Sequence, residues 1–304
     1  MSERPTPMLG RVVRVSGQQH LVEVGGEEWL CEVRGRLKGS RREAQSIVVV
    51  GDWVELAPTG PGSGVVERVL PRRSQFARAA SGFRPFQQIV AANLDQLVVV
   101  VAVRQPEPRL GFIDRALVMA QRGSLVPVVC LNKIDLDEDG QAGAIAKVYA
   151  DLGYQICLTS ARTGAGVEAM REALTGKDSV IVGHSGVGKS SLLNRLEPGL
   201  SIRTDGLMRL HERGRHTTAA VRLYPLAGGG NAVDTPGIKE LRLWSVAPEE
   251  LVGYFAEMRE LVDGCRFRDC THLHEPGCAV LEAVAAGRIA RVRHEGYARI
   301  RQSL

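Results

Sequence analysis

Long hydrophobic runs are missing from this chain of 304 residues. The longest apolar run is LVVVVAV at 97–103, far short of the roughly 18 residues that cross a bilayer, so we interpret it as a buried strand. The first ten residues, MSERPTPMLG, lack the apolar segment of a signal peptide, and no lipid anchor is evident. These absences predict a cytoplasmic protein with no membrane partner.

A disulfide framework is also missing. Cys31, Cys130 and Cys157 are isolated in apolar segments, where a thiol usually acts as a small core side chain. The other three cysteines cluster between 265 and 278, which indicates a metal site rather than disulfides.

Composition and charge exclude little. The chain is 44% hydrophobic and 24% charged, with a net charge of +5, as expected for an ordinary soluble protein. A mildly basic balance is compatible with nucleic-acid binding without indicating it. The length predicts two or three domains.

Residues 1–73 are predicted to form an OB-fold β-barrel. Five short segments alternate or are β-branched, with turn residues or charges between them; they are 10–15, 20–24, 28–33, 47–56 and 64–70. An SH3-like barrel would give a similar pattern. The basic loop RGRLKGSRR at 34–42 is either a solvated loop or a phosphate contact.

Residues 91–245 alternate strands and helices, which predicts an α/β domain with a parallel sheet. The predicted strands are 94–103, 126–132, 154–160, 178–183, 220–226 and 231–237. The predicted helices are 112–123, 141–151, 166–174 and 188–196. Residues 74–90 are interpreted as the interdomain connection. Residues 246–304 are expected to form a helical domain, with a helix over 248–262 and an arginine-rich tail at 288–304 that is compatible with RNA contact.

The segment GHSGVGKSS fits the phosphate-loop pattern G-x-x-x-x-G-K-[ST] and lies between a predicted strand and a predicted helix. Its backbone N–H groups and the helix N-terminus can hold phosphates. Lys189 can reach the β- and γ-phosphates and act in catalysis, and Ser190 can ligate Mg²⁺. The residues predicted to contact nucleotide here are Gly183, His184, Ser185, Gly186, Val187, Gly188, Lys189, Ser190 and Ser191.

The segment DTPG follows another apolar strand. Asp234 would end that strand at the edge where open α/β sheets bind ligands, and we expect it to hold Mg²⁺ through a water. Gly237 would offer a backbone N–H to the γ-phosphate. A DTPG turn is informative only because it follows the phosphate loop.

Guanine recognition is predicted at LNKID, 131–135. The Asp135 carboxylate can accept both adjacent donors of guanine, a pair that adenine lacks. Asn132 can either bond the base or brace the loop, and the Lys133 stem can cover the purine. In the TSA segment that ends the next strand, Ser160 and Ala161 are expected to contact the base.

The motif order is unusual. In GTP-binding proteins the motifs ordinarily follow the order phosphate loop, switch threonine, DxxG, NKxD and SA. In this chain NKxD and SA come before the phosphate loop. The two orders are one cyclic sequence cut between DxxG and NKxD. A sheet whose termini lie close together can be reopened in this way, so the sequence predicts a circularly permuted P-loop GTPase.

The polar segment 201–220 is a candidate switch. Thr217 or Thr218 could supply a second Mg²⁺-ligating hydroxyl. Ile238 occupies the position after DxxG where a glutamine often orients the attacking water, and isoleucine cannot do so. His216 is therefore the candidate catalytic group, although a loop histidine is often only a solvated surface residue.

Cys265, Cys270, His272 and Cys278 form C-x₄-C-x-H-x₅-C. Four such ligands suit one tetrahedral structural Zn²⁺ that would support a helical unit poor in core. His274 is an alternative ligand. A redox site is disfavoured because Cys-x-x-Cys spacing is absent.

These motifs, taken together and in order, resemble the ribosome small-subunit-dependent GTPase A family over essentially the whole chain. The resemblance implies an OB-fold, a permuted GTPase domain and a C-terminal zinc domain. It also implies GTP hydrolysis stimulated by the small ribosomal subunit, action in late subunit maturation, contact with ribosomal RNA, and a catalytic role for His216. One competing hypothesis is a nucleic-acid-binding module whose affinity GTP switches. Another is a permuted GTPase that serves a different RNA or membrane partner, which the lack of an amphipathic or lipid anchor disfavours. We expect a monomer.

Overall fold

The computed structural model describes residues 7–34, 47–79, 87–200, 221–235 and 241–304. The N-terminal part is a closed five-stranded barrel in which the strands pair in the order β1-β2-β3-β5-β4-β1. Its strands are β1 (Met8–Ser16), β2 (Gln19–Val24), β3 (Glu27–Val33), β4 (Trp53–Gly60) and β5 (Ser63–Val69). Strands β3 and β5 are parallel and the other pairs antiparallel, which agrees with the predicted OB-type barrel.

The fourth barrel strand begins later than the sequence predicted. Residues 47–52 lie outside the named strands, and β4 starts at Trp53. The buried Asp52 carboxylate accepts the N–H of Val49 at 2.8 Å, which closes a turn in this apolar stretch. The valines at 48–50 are apolar because they are buried, although they do not belong to a strand.

The segment 74–90, predicted as a connection, contains regular structure. Strand β6 (Gln75–Ala79) pairs with β7 (Gln87–Ala92) as an antiparallel ladder. The domain limits of the sequence analysis remain a prediction.

The second part of the chain forms a mostly parallel sheet in the order β10-β9-β8-β11-β13-β12. Among the described strands of this sheet, β12 is the one that runs antiparallel, pairing with β13. The strands are β8 (Gln96–Ala102), β9 (Val126–Asn132), β10 (Gln155–Thr159), β11 (Lys177–Val182), β12 (Val221–Pro225) and β13 (Gly230–Asp234). The carboxyl ends of the parallel strands therefore meet at one edge.

Helices cover both faces of this sheet. They are α1 (Leu110–Arg122), α2 (Gln141–Ala150), α3 (Val167–Leu174) and α4 (Lys189–Leu196). Every residue of β8 is buried: Val99 packs in the core with α1 and α2, whereas Val98 packs in the core with α3 and α4. Two covered faces explain why this strand is apolar without alternation.

The barrel extends the sheet at its β12 edge. Val15 of β1 lies opposite Val221 of β12 in an antiparallel pair. Arg11 of β1 donates to Asp178 of β11 at 2.6 Å, and both side chains are mostly buried.

The C-terminal part is helical but more broken than the sequence predicted. A continuous helix over 248–262 is wrong: a 3₁₀ turn at Leu251–Tyr254 precedes the short helix α5 (Ala256–Arg259). Between them Phe255 is extended, with φ −108° and ψ 92°, and it is fully buried. Helices α6 (Ala279–Ala285) and α7 (Arg291–Arg301) follow. Among the described residues, no helix is long and apolar enough to cross a membrane.

Candidate nucleotide-binding site and metal centre

Three sequence motifs meet at the carboxyl edge of the parallel sheet. Asn132 ends β9, Thr159 ends the neighbouring β10, and the phosphate loop leaves β11 at Gly183. Ligands of open α/β sheets bind at this edge. The order of the motifs along the chain does not matter there, because parallel strands all deliver their ends to the same side.

The buried side chain of Asn132 joins these motifs. Its amide nitrogen donates to the Val187 carbonyl of the phosphate loop at 2.9 Å. Its amide oxygen accepts the Thr159 hydroxyl at 3.1 Å and the backbone N–H of Ala161 at 3.3 Å. Of the two roles that the sequence left open for Asn132, the structure supports bracing.

The phosphate loop passes too close to Asn132 for any side chain at position 188. Gly188 has φ +92°, and a Cβ added there would lie 2.5 Å from the Asn132 amide nitrogen. A residue other than glycine would be both strained and in collision. Gly188 then caps α4, which begins at Lys189.

Lys133 connects the base-recognition motif to the phosphate loop and to the segment that follows β8. It adopts a left-handed conformation with φ +65°. Its ammonium group donates to the Gly186 carbonyl at 2.6 Å and to the Gln105 carbonyl. The side chain is thereby held beside the phosphate loop.

The Asp135 carboxylate accepts hydrogen bonds from the Ser160 hydroxyl and from Arg162 Nε, the latter at 2.8 Å. These bonds, led by that from Ser160, lower the pKa of Asp135, so the group is an anion at neutral pH. An anionic carboxylate can accept two adjacent N–H donors. Arg162 was not among the predicted residues, because its only signal in the sequence is its position directly after TSA.

Within the phosphate loop, Lys189 donates to the carbonyls of Gly183 and His184 at 2.7 and 3.0 Å. The His184 ring lies against Phe112 of α1, with 4.2 Å between ring centroids. Phe112 was not among the predicted site residues. No motif marks it, because its partner lies 72 positions away along the chain.

Asp234 is the last residue of β13 and lies opposite Ile181 of the phosphate-loop strand. It is 8% exposed. The Thr235 hydroxyl donates to the Ile181 carbonyl at 2.8 Å, which fixes the chain just after the carboxylate. Asp234 therefore lies at the carboxyl end of the strand beside β11, the strand that leads into the phosphate loop.

Several sequence predictions fall outside the described residues. They are His216, Thr217 and Thr218 with the rest of the candidate switch 201–220, Gly237, Ile238, and all but Arg34 of the basic loop at 34–42.

Cys265, Cys270, His272 and Cys278 come together as a group. Their four ligand atoms all lie within 4.8 Å of one another. His272 Nδ1 is 3.5 Å from the sulfurs of Cys265 and Cys278, which are 3.9 Å apart. A tetrahedral site with metal–sulfur bonds of about 2.3 Å has sulfur–sulfur edges near ~3.8 Å. These residues therefore fit a four-coordinate metal ion.

The surroundings suit such an ion. Burial lowers the pKa of His272. It also raises the pKa of the Cys270 and Cys278 thiols, which by itself disfavours the thiolates that bind metal. A neutral imidazole is the form that binds metal, and a bound cation would favour the thiolates. The Glu275 carboxylate orders the ligand loop by accepting the N–H groups of Thr271, Leu273 and His274 at 2.8, 3.1 and 3.2 Å.

Known proteins share this architecture. Residues 69–244 match the model of the RsgA GTPase family. The small ribosomal subunit biogenesis GTPase RsgA of Moorella thermoacetica is 40% identical over 290 residues, which span 95% of each chain.

Two solved structures are similar over their whole length. YjeQ from Thermotoga maritima has a TM-score of 0.79 and 38% identity, and the match covers 98% of this chain and 99% of that one. YloQ, described as a circularly permuted GTPase, has a TM-score of 0.71 and 28% identity, with 100% and 96% covered. The predicted fold is therefore confirmed: a permuted P-loop GTPase domain with an N-terminal barrel and a C-terminal unit whose Cys/His group fits a metal ion. The chain belongs to the RsgA GTPase family.

Proposed function

We propose that this protein binds GTP at the carboxyl edge of the sheet and hydrolyses it to GDP and phosphate. The observation that carries the proposal is the Asn132 side chain, which holds the base-recognition and phosphate-binding segments in one cluster. Asp135 would accept the two guanine donors, and Lys133 would flank the purine. The proposed nucleotide-binding set is Asn132, Lys133, Asp135, Ser160, Ala161, the loop from Gly183 to Ser191, and Gly237.

Mg²⁺ bound with GTP would neutralise charge that develops on the phosphates. We assign Ser190 and Asp234 to its binding, with a further hydroxyl from Thr217 or Thr218. Support comes from the position of Asp234 at the end of the strand beside the phosphate loop. Lys189 would stabilise the β- and γ-phosphates, and His216 would position the attacking water.

The proposed activator is the small ribosomal subunit, including its RNA. Relatives that are about 40% identical over nearly the whole chain are named small ribosomal subunit biogenesis GTPases. A barrel of the OB type is a frequent nucleic-acid binder. We infer a monomeric factor that acts in the cytoplasm during late maturation of the subunit.

Turnover measurements test this proposal. GTP hydrolysis by the purified chain is assayed alone and with small subunits, large subunits or whole ribosomes. We expect slow basal turnover, because isoleucine follows DTPG. Small subunits should stimulate turnover strongly, whereas separated large subunits should not. GTP-dependent subunit binding without stimulation would favour the alternative, a nucleic-acid-binding module that GTP switches.

His216→Ala tests the catalytic assignment. Loss of a water-positioning base should lower subunit-stimulated turnover by roughly a hundredfold or more, while GTP affinity stays near that of the unsubstituted chain. His211→Ala is a matched control, since it removes the same side chain from the same segment five positions earlier. Unchanged stimulated turnover in His216→Ala would contradict the assignment.

Asp135→Asn tests how the base is recognised. An amide accepts only one of the two guanine donors, so GDP affinity measured by calorimetry should fall by roughly a hundredfold or more. Xanthosine diphosphate has a carbonyl in place of the 2-amino group and should become the better ligand. The control Asp139→Asn removes a nearby carboxylate that pairs with Arg104 and should bind GDP normally. If Asp135→Asn keeps full GDP affinity, Asp135 does not read the base.

Zinc is the metal we propose for the Cys/His group, because three thiolates and one imidazole are typical structural zinc ligands. The purified chain should contain one zinc per molecule by elemental analysis. Cys270→Ser should lose most of the metal and unfold at a lower temperature, whereas Cys157→Ser, a core cysteine outside the group, should keep it. A full equivalent of zinc in Cys270→Ser would exclude that cysteine as a ligand.

A further inference from the structure

The contact between α1 of the GTPase domain and α7 of the C-terminal unit has charged groups at its centre. Arg293 of α7 is only 1% exposed. It donates to Asp114 of α1 and, at 2.7 Å, to Glu257 of α5. The Tyr149 hydroxyl donates to the same Asp114 oxygen at 3.0 Å, and the guanidinium carbon lies 4.5 Å from the centre of the Phe255 ring. A buried arginine thus bridges the two units.

The charges of this cluster hold each other in place. Burial alone would lower the pKa of Arg293, but the carboxylates of Asp114 and Glu257 raise it above its usual value. A buried charge that loses its partner is costly. Breaking the bridge without letting in water would therefore leave an uncompensated charge in the contact.

At Gly296 the carboxylate of Asp114 packs directly against the backbone of α7. A Cβ added to this residue would lie 1.9 Å from Asp114 Oδ2. Glycine within a helix is otherwise unfavourable, so the close approach explains its presence in the middle of α7. Arg293 and Gly296 are three positions apart and lie on the same face of the helix.

Helix α1 carries this contact to the phosphate loop. Phe112 lies two residues before Asp114, is 5% exposed, and packs its ring on His184 of the loop. Other residues of α1 also touch the C-terminal unit: Val118 belongs to its core, and Arg122 donates to the Tyr254 hydroxyl at 3.1 Å. A displacement of α7 could therefore shift α1 and, through Phe112 of α1, the phosphate loop.

We propose that Arg293, Gly296 and Asp114 form an interdomain joint that positions α1 against the phosphate loop, so that a partner bound to the C-terminal unit changes GTP hydrolysis through α1. The joint rests on the proposed function in one respect: the partner is taken to be the small subunit. Arg293 and Gly296 are positioning residues, since neither contacts the phosphate loop.

Gly296→Ala is the direct test. Alanine favours a helix more than glycine does, but here its Cβ would force α7 away from Asp114. We expect basal turnover and GDP affinity to stay within about twofold of the unsubstituted chain, and stimulation by small subunits to fall by roughly 5- to 150-fold, the usual range of coupling between sites. Gly143→Ala in α2 is the matched control, because its Cβ would meet nothing within 4 Å; it should keep full stimulation.

Two further substitutions keep the test valid if Gly296→Ala folds poorly. Arg293→Lys retains the charge and should preserve more stimulation than Arg293→Met, which retains the length but leaves Asp114 buried without its cation. A purely structural role would lower basal and stimulated turnover in the same proportion for every variant, which would overturn the joint. Full stimulation in Gly296→Ala would overturn it as well.

Hydrogen exchange separates failure of the joint from failure of the proposed function. In the free protein with GDP, Gly296→Ala should speed exchange in α1 and in the phosphate loop as well as in α7. Faster exchange confined to α7 would overturn the joint whether or not small subunits stimulate turnover. If the unsubstituted chain is not stimulated while the exchange spreads as expected, the joint stands and the assigned activator is wrong.

Discussion

The Asn132 side chain, at the end of β9, forms hydrogen bonds with two segments that are far apart in the chain, the TSA segment and the phosphate loop. It is fully buried, so each of its hydrogen bonds replaces one that water would otherwise make, and losing a partner would leave a polar group unsatisfied. Gly188 lies so close to this amide that no side chain fits there. The proposed nucleotide site thus depends on one amide that fixes the distance between base-reading and phosphate-binding elements.

Circular permutation leaves this arrangement intact because the constraint is spatial. Parallel strands present their carboxyl ends at a common edge, so cutting the chain between DxxG and NKxD changes the connections and not the site. The cut does change what is attached. The barrel joins the sheet at β12, and the C-terminal unit packs on α1, whose Phe112 touches the phosphate loop. Each appended unit thereby gains its own contact with the nucleotide-binding domain.

Much of the fold and of the candidate site was predictable, because short motifs there carry their own geometry. The run LVVVVAV indicated a buried strand, and the phosphate-loop pattern indicated a strand, a turn and a helix. The spacing of Cys265, Cys270, His272 and Cys278 indicated a metal group. In each case neighbours in sequence determine the local conformation, or few residue types can serve the chemistry.

Contacts between distant side chains were not predictable. Arg293 counted in the sequence as one of several arginines in a basic tail compatible with RNA contact, yet it is buried against Asp114, 179 positions away. Arg162 beside Asp135 and Phe112 beside His184 belong to the same class. The helix expected over 248–262 failed because burial of Phe255 in the small C-terminal core outweighed local helix preference.

The affinity of the purified chain for different nucleoside diphosphates tests most directly whether the permuted motifs form one guanine-specific site. Calorimetry with GDP, inosine diphosphate and ADP compares three bases on the same phosphates. We predict tight binding of GDP, weaker binding of inosine diphosphate, which lacks the 2-amino donor, and no measurable binding of ADP. Equal affinity for GDP and ADP would contradict the assignment of Asp135 and, with it, the guanine-specific site.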